Sequence, residues 1–432
     1  MGYDERCRRR SRSLPFSVWW RAVRLRAPIR NAYDGFKPST GRSRVSQISV
    51  ETTNARTFFD KFVAKRRPCV IRSLTSDLAQ CVEGWLCGGL RAASGQETVQ
   101  VEVRKPTGRP FGNGIKVAMS FGSFLDRIES GDTRYYLTTQ ELPMQADGTE
   151  SLLAPPLSAL EQLPLRPSLC PTLFPQSVNL WYGCARDGSS SGLHHDHHDN
   201  LYCLLRGRKQ FRLYSPADAH RMPTKGCIHR VHRNGRINYA RHLTTADGRT
   251  AEDVQKWANS RAQRAQKRAE RELARAERAE AAGELGAADR VSAAEDALDT
   301  ATERYSELLL EAERHAALEE TGLSRVRKAA AGTPQEAGGP ACAPPSFCRV
   351  PPLPSSHSAR EKLLGGAAEM ICEVRSGEML YLPCGWFHEV TSYGEHAALN
   401  YWFHPPDRHV FDRPYSAHSY WKAAWGKASA SL

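Results

Sequence analysis

The chain has 432 residues, 40% hydrophobic and 25% charged, a globular composition that excludes disorder throughout. No run of eighteen apolar residues occurs, which excludes a membrane-spanning helix. Lys and Arg outnumber Asp and Glu by 60 to 47, a net +13, but residues 1–50 alone hold 12 basic and 3 acidic side chains, so the excess describes a tail and little else. Twelve cysteines without a CxxC pair fit a reduced, intracellular protein of cytoplasm or nucleus better than a disulfide framework.

Residues 1–50 are Arg- and Ser-rich. Arg8-Arg9-Arg10 followed by Phe16, Val18, Trp19 and Trp20 fits either an organelle transit peptide or a basic extension without fixed structure. Residues 51–249 read as a cap and the first part of a domain. An amphipathic helix from Thr53 is followed by a turn at Pro68, a strand at 69–71, and an alternating strand at 97–104 with Val99, Val101 and Val103 on one face. A short helix at 121–130 ends at Gly131, and a strand follows at 134–140. After an irregular Pro- and Leu-rich connection, β runs are expected at 177–184, 193–205, 209–214, 371–374, 378–382, 387–392 and 397–403. Strands behind a helical cap predict a mainly β barrel or sandwich, with its second part at 357–432.

Between these runs, residues 250–331 are dominated by Ala, Glu and Arg. Val291, Ala294, Leu298, Ala301, Tyr305, Leu308, Ala312 and His315 recur at spacings of three and four, and Ala258, Ala262, Ala265, Ala269 and Ala276 form a weaker seam before Gly283 and Gly286. Residues 256–278 carry 8 basic and 3 acidic side chains, whereas 280–320 carry 3 basic and 12 acidic. This predicts an inserted coiled-coil hairpin with opposite charges facing, suited to binding a partner or to self-association. Residues 332–356 read as a Pro/Gly-rich linker without regular structure.

The chemistry concentrates at 193–199, where four histidines and two aspartates stand within seven residues. Residues two apart on a strand share a face, so His194 and Asp196 can bind one ion together. His197 and Asp199 form a second register on the opposite face, and spacing alone does not choose between them. The strand–turn–strand "GEMLYLPCGWFHEVTS" (377–392) supplies His388 as a third ligand. Two histidines and one carboxylate make the facial triad of non-haem Fe(II) oxygenases. Lys209, followed by Phe211, Leu213 and Tyr214, sits in an interior strand, where a cation is costly without a partner. Trp181, Trp386 and Trp402 read as core.

The set "LHHDHHDNLY", "GRKQFRLYSP", "GEMLYLPCGWFHEVTS" and "LNYWF" resembles the JmjC-domain 2-oxoglutarate oxygenases, and most nearly the small cupin-like hydroxylases of lysyl or asparaginyl side chains. "FFDKFVAKRRPCVIRSL" and "VNLWYG" match further segments, so the likeness runs from about residue 56 to 420, excluding the insert. The resemblance implies a double-stranded β-helix (jelly-roll, cupin) fold and selects His194, Asp196 and His388 as iron ligands. It implies that Lys209 pairs with the far carboxylate of 2-oxoglutarate, with Ser191, Asn200, Asn400 and Tyr136 lining the same pocket and Tyr135 a competitor for Tyr136. It implies Fe(II), 2-oxoglutarate and O₂ as the reacting set, a protein side chain as substrate, and succinate and CO₂ as co-products. A JmjC N-methyl-lysine demethylase, an RNA-base hydroxylase using the basic stretch 226–242, and a non-catalytic metal-binding scaffold are the alternatives. The chain shows no Cys/His zinc-finger reader.

Overall fold

The computed structural model describes residues 29–330, 344–352 and 357–430, apart from residues 40, 86–87, 105–114, 146–147, 149, 161–162 and 241–242. The expectations for residues 1–28, and for most of the linker at 331–343 and 353–356, lie outside the described residues.

Three short strands open the fold: β1 (Arg30–Asn31), β2 (Arg42–Arg44) and β3 (Ser46–Ile48). They correct the expectation of a tail without fixed structure for its described part, from residue 29 to 50. β1 runs parallel to a later strand, β2 pairs with the sheet edge at 369–371, and β3 pairs with 69–71. Segments of two or three residues, one of them Arg-Ser-Arg, carry no hydrophobic period; main-chain hydrogen bonds to existing edges hold them. Asn54 caps the expected helix by accepting from the Thr57 amide, and Ala55–Phe58 continues as a π-helical turn at Phe59–Val63. β4 (Cys69–Ile71), β5 (Thr98–Val103), β6 (Ile115–Ser120), the helix Phe121–Glu129 and β7 (Tyr135–Leu137) follow.

The barrel is built on long antiparallel strands: β8 (Pro175–Ser190), the two-residue β9 (His194–His195) and β10 (Asp199–Tyr214). A side hairpin of β11 (Ile228–Val231) and β12 (Ile237–Tyr239) precedes the insert. β13 (Glu369–Arg375), β14 (Met379–Leu382) and β15 (Phe387–Phe403) complete it. The main sheet has twelve strands in the order β3-β4-β14-β10-β15-β8-β7-β5-β6, with β13 and β9 alongside β10 and β15 and β2 beside β13. The runs expected at 193–205 and 209–214 regroup as β9 and β10, and those at 387–392 and 397–403 merge into one strand. β10 bends through Gly207, at φ +86°, where a Cβ would lie 2.4 Å from the Glu395 carbonyl oxygen. The core joins Phe58, Phe121, Phe124, Tyr381, Tyr401 and Phe403 between cap and barrel.

The insert forms two helices, Ala251–Ala281 and Ala287–Ala330, joined through Gly283 and Gly286 at φ +74° and +70°. A capping box starts the first: the Thr250 hydroxyl accepts from the Asp253 amide and the Asp253 carboxylate from the Thr250 amide. Gln255 reaches the Leu308 carbonyl (3.0 Å) and Gln266 the Thr302 hydroxyl (3.2 Å), so the helices run antiparallel. Ala262, Ala269, Ala276 and Leu308 are buried between them. The expected facing of opposite charges is corrected: among the described residues no ion pair joins the two helices, and the pairs present lie within one helix or at the turn. Small side chains bring the backbones close and leave the long charged ones pointing outward. At its base Trp257 packs edge-on against Tyr420 of the C-terminal helix His418–Ala430.

Candidate metal centre and cosubstrate cavity

β9 pairs antiparallel with β15, which sets His194 directly opposite His388. Asp196 follows in the bend before β10, and its carbonyl accepts from the Gly385 amide (2.9 Å), tying the two motif segments together. Ligand atoms of His194, Asp196 and His388 lie within 4.8 Å of one another, with His388 Nε2 3.7 Å from Asp196 Oδ2. His194 Nδ1 sits 2.9 Å from the Gly192 carbonyl and His388 Nδ1 2.9 Å from that of Trp386. Donation from both Nδ1 atoms leaves both Nε2 lone pairs for an ion. Burial, then the neighbouring His194, pushes His388 down to about 4, so its imidazole is neutral, the ligating form.

Gly385 is the pivot of this arrangement. At φ +73°, a Cβ there would lie 1.9 Å from the Gly235 carbonyl oxygen. Gly385→Ala is expected to destabilise the protein by more than about 3 kcal/mol and to lower metal affinity in whatever folds, because the turn that places His388 cannot close. Thermal unfolding and Co(II) titration read the two effects.

The second register is used differently. Asp199 is fully buried and accepts from both Arg66 guanidinium nitrogens, from the Tyr381 hydroxyl (2.6 Å) and from the Cys384 amide (3.0 Å). It is committed to the fold. His195 is buried, with Nε2 2.7 Å from the Tyr239 hydroxyl, and His198 stacks on Trp402. The stretch 226–242 makes β11 and β12: Arg236 is buried and donates to the His197 carbonyl, and Arg233 pairs with Asp34. Its described residues buttress the ligand loop.

A cavity of about 340 Å³ adjoins the three candidate ligands. Alternation along β15 directs His388, Val390, Ser392, His396, Asn400 and Trp402 into it, and sends Phe387, Leu399, Tyr401 and Phe403 to the core. Asn200, Tyr202, Lys209 and Phe211 enter from β10. Ser191 lines the same cavity and its hydroxyl accepts from the Val390 amide (3.1 Å). Asn400 accepts from Trp181 Nε1 (2.9 Å), whereas buried Asn200 Oδ1 has no partner among the described residues. Tyr136 faces the cavity, its ring 5.8 Å from His396, while Tyr135 turns toward Arg127 and Arg134. Lys209 is 2% exposed and makes no hydrogen bond or ion pair with any of the described residues; the Tyr202 ring lies 5.3 Å from its ammonium.

Several cavity residues escape a sequence reading. Trp181 and Trp402, expected in the core, line the cavity; Trp386 alone of the three is fully buried, donating to the Arg66 carbonyl. His396 follows from the period of two only once β15 is recognised as a single strand. Phe347 comes from the expected linker, whose described part is ordered: Cys348 donates to the Leu193 carbonyl and Arg349 to that of Pro223. Its ring stacks on His194 at 4.7 Å and 10°. No local pattern marks it.

The cupin-like domain family matches residues 55–409, most of the chain. The chain belongs to that family, in its JmjC group. The JmjC-type cupin fold expected from the motifs is therefore present, mainly β with helical additions. The chain is 29% identical to JmjC domain-containing protein 4 of Schizosaccharomyces pombe, over 91% of this chain and 92% of that one. It is 27% identical to the human bifunctional peptidase and (3S)-lysyl hydroxylase JMJD7, over 37% of this chain and 51% of that one. It is also 46% identical to the lysine-specific demethylase JMJ32 of Arabidopsis thaliana, over 11% and 13% of the two chains. JmjC cupin proteins are 2-oxoglutarate-dependent oxygenases that generally use Fe(II). The donor set fits: two imidazoles and one carboxylate suit Fe(II), and a buried cation without an anion among the described residues suits a dicarboxylate. No helix among the described residues is long and apolar enough to cross a membrane.

Proposed function

We propose that this JmjC-type protein is an Fe(II)- and 2-oxoglutarate-dependent hydroxylase of a protein side chain. One observation carries the reading: an unpaired buried cation, Lys209, lines the same cavity as the His194–Asp196–His388 cluster. A scaffold that merely held a metal would have no use for it, since an unpaired buried ammonium costs stability. His194, Asp196 and His388 would hold the ion, and Lys209 would hold the far carboxylate of 2-oxoglutarate. Asn200 Oδ1, without a partner, is free to accept from a group in the cavity. When bound, iron with 2-oxoglutarate and O₂ supplies the oxidation, one oxygen atom going to the substrate C–H and the other to succinate, with CO₂ released. The protein's own residues orient the reactants and exclude water, with Trp181, Trp402 and Phe347 providing apolar wall.

A side-chain hydroxylase is favoured over a demethylase because the relative with a hydroxylase name matches the larger share of the chain. Purified protein with Fe(II), ascorbate and 2-oxoglutarate is expected to form succinate, and Asp196→Ala to form none. With substrate supplied, mass spectrometry should show a product 16 Da heavier, the mass of one oxygen atom. Formaldehyde release from a methyl-lysine peptide would instead make it a demethylase. Failure to bind 2-oxoglutarate would leave a scaffold.

A further inference from the structure

The two hairpin helices sort their charges onto separate outward faces. On Ala251–Ala281, Arg261, Arg264, Arg268, Arg271, Arg275 and Arg278 are all exposed and recur at spacings of 3-4-3-4-3. At 3.6 residues per turn they fall in an arc of about 100°. Between Arg261 and Arg278 no carboxylate lies inside it; Glu272, 4.0 Å from Arg268, stands at its edge. On Ala287–Ala330, exposed Asp289, Glu295, Asp296, Asp299, Glu303 and Glu307 fall in an arc of about 120°. Arg290 and Arg304 lie outside that arc. Both faces point away from the Ala and Leu seam, and no ion pair links one helix to the other among the described residues.

The contacts of Gln255 with Leu308 and of Gln266 with Thr302 set the axial register. Arg261–Arg278 therefore occupies the same stretch of the hairpin as Asp289–Glu307, each about 26 Å long. Opposite sign, equal length and equal height make each face the complement of the other on a translated copy. We propose that the partner is a second copy of this chain: the cationic face of one hairpin lies along the anionic face of the next. At the domain-proximal end Val254 and Leu310, 37% and 54% exposed, stand at the same height beside these faces and meet across the contact. A nucleic acid would use only the cationic face and would leave the anionic one without a partner, whereas a second copy uses both. The contact is heterologous, so it extends beyond two copies unless the rotation between them closes a ring.

Sedimentation of the full chain tests this. At low salt the average mass is expected to rise with protein concentration, and at roughly 0.5 M salt to return to the monomer, because exposed charges at these separations are screened. Arg268→Glu/Arg271→Glu/Arg275→Glu should be monomeric alone, as should Glu295→Lys/Asp296→Lys/Asp299→Lys. Mixed in equal amounts, the two variants should associate, since the like-charged faces of one complement those of the other; unchanged far-UV circular dichroism establishes that both hairpins are intact. A wild-type monomer at every salt and concentration overturns the proposal, as does association that both variants retain. Binding of duplex RNA that the arginine variant alone loses, without self-association, assigns the face to nucleic acid instead.

Discussion

Lys209→Met is expected to raise the stability of the protein and, at the same time, to weaken its stabilisation by 2-oxoglutarate. The side chain enters the barrel from β10 because its neighbours Phe211 and Leu213 are buried with it. It meets an aromatic ring but no acceptor, and burial alone pushes its ammonium down to about 7. The unfolded chain keeps its proton up to the ordinary value of 10.5, so between about 7 and 10.5 the unfolded state holds more protons than the folded one. Stability from this group therefore rises with pH through that window, and the rise is missing in the methionine variant. At neutral pH the substitution removes a buried polar group without a partner, a gain of about 1–3 kcal/mol. A bound carboxylate would supply the missing acceptor through a charge-assisted hydrogen bond, so losing Lys209 should weaken 2-oxoglutarate roughly ten- to hundredfold. Thermal unfolding from pH 6.5 to 10.5, with and without 2-oxoglutarate, reads both effects. A methionine variant less stable than wild type at pH 7 would show that Lys209 has an acceptor within the protein.

Asp199→Ala and Asp196→Ala, three residues apart, are expected to have opposite phenotypes. Asp199 and Arg66 form a fully buried pair in which Arg66 also donates to the Asn234 carbonyl (2.9 Å) and holds a left-handed backbone at φ +53°. Removing one partner leaves the other charge buried and unpaired, a loss of about 3–5 kcal/mol. Arg66→Met should cost a similar amount. The double variant Arg66→Met/Asp199→Leu should recover only part of it, because the Tyr381 hydroxyl and Cys384 amide still lose their acceptor. Asp196 lies at the cavity with its side chain 24% exposed and no Lys or Arg paired with it among the described residues, so Asp196→Ala should leave the unfolding temperature of metal-free protein nearly unchanged while lowering Co(II) affinity at least a hundredfold. Calorimetry and metal titration on the same variants separate the two carboxylates. Loss of metal binding in folded Asp199→Asn would show that the second register also ligates.

Much of the molecule is legible in its sequence because the signals are local. Alternating valines mark β5, the three-and-four spacing and glycines mark the helical insert, and His-x-Asp with a distant His marks the candidate metal centre. What is not legible depends on contacts between distant residues. A period of two assigns side chains to faces but leaves the choice between Asp196 and Asp199 open. Arg66, 133 positions before Asp199, closes it by neutralising that carboxylate inside the core. Phe347 reaches His194 only because the chain returning from the insert is pinned to Leu193 and Pro223, and β1 to β3 exist only as additions to edges formed later in the chain.

By itself the sequence determines the donor set, the interior lysine and the division of charge between two helices, since residue type and short-range spacing suffice for each. Only the tertiary structure decides which carboxylate is free for an ion, that Lys209 has no acceptor among the described residues, and that the hairpin's charges face outward. Each of those is a question of what else occupies a low-dielectric space or a close helix seam, and contacts beyond the reach of local patterns settle it, 133 and 182 residues apart at Asp199 and 36 and 53 apart in the hairpin.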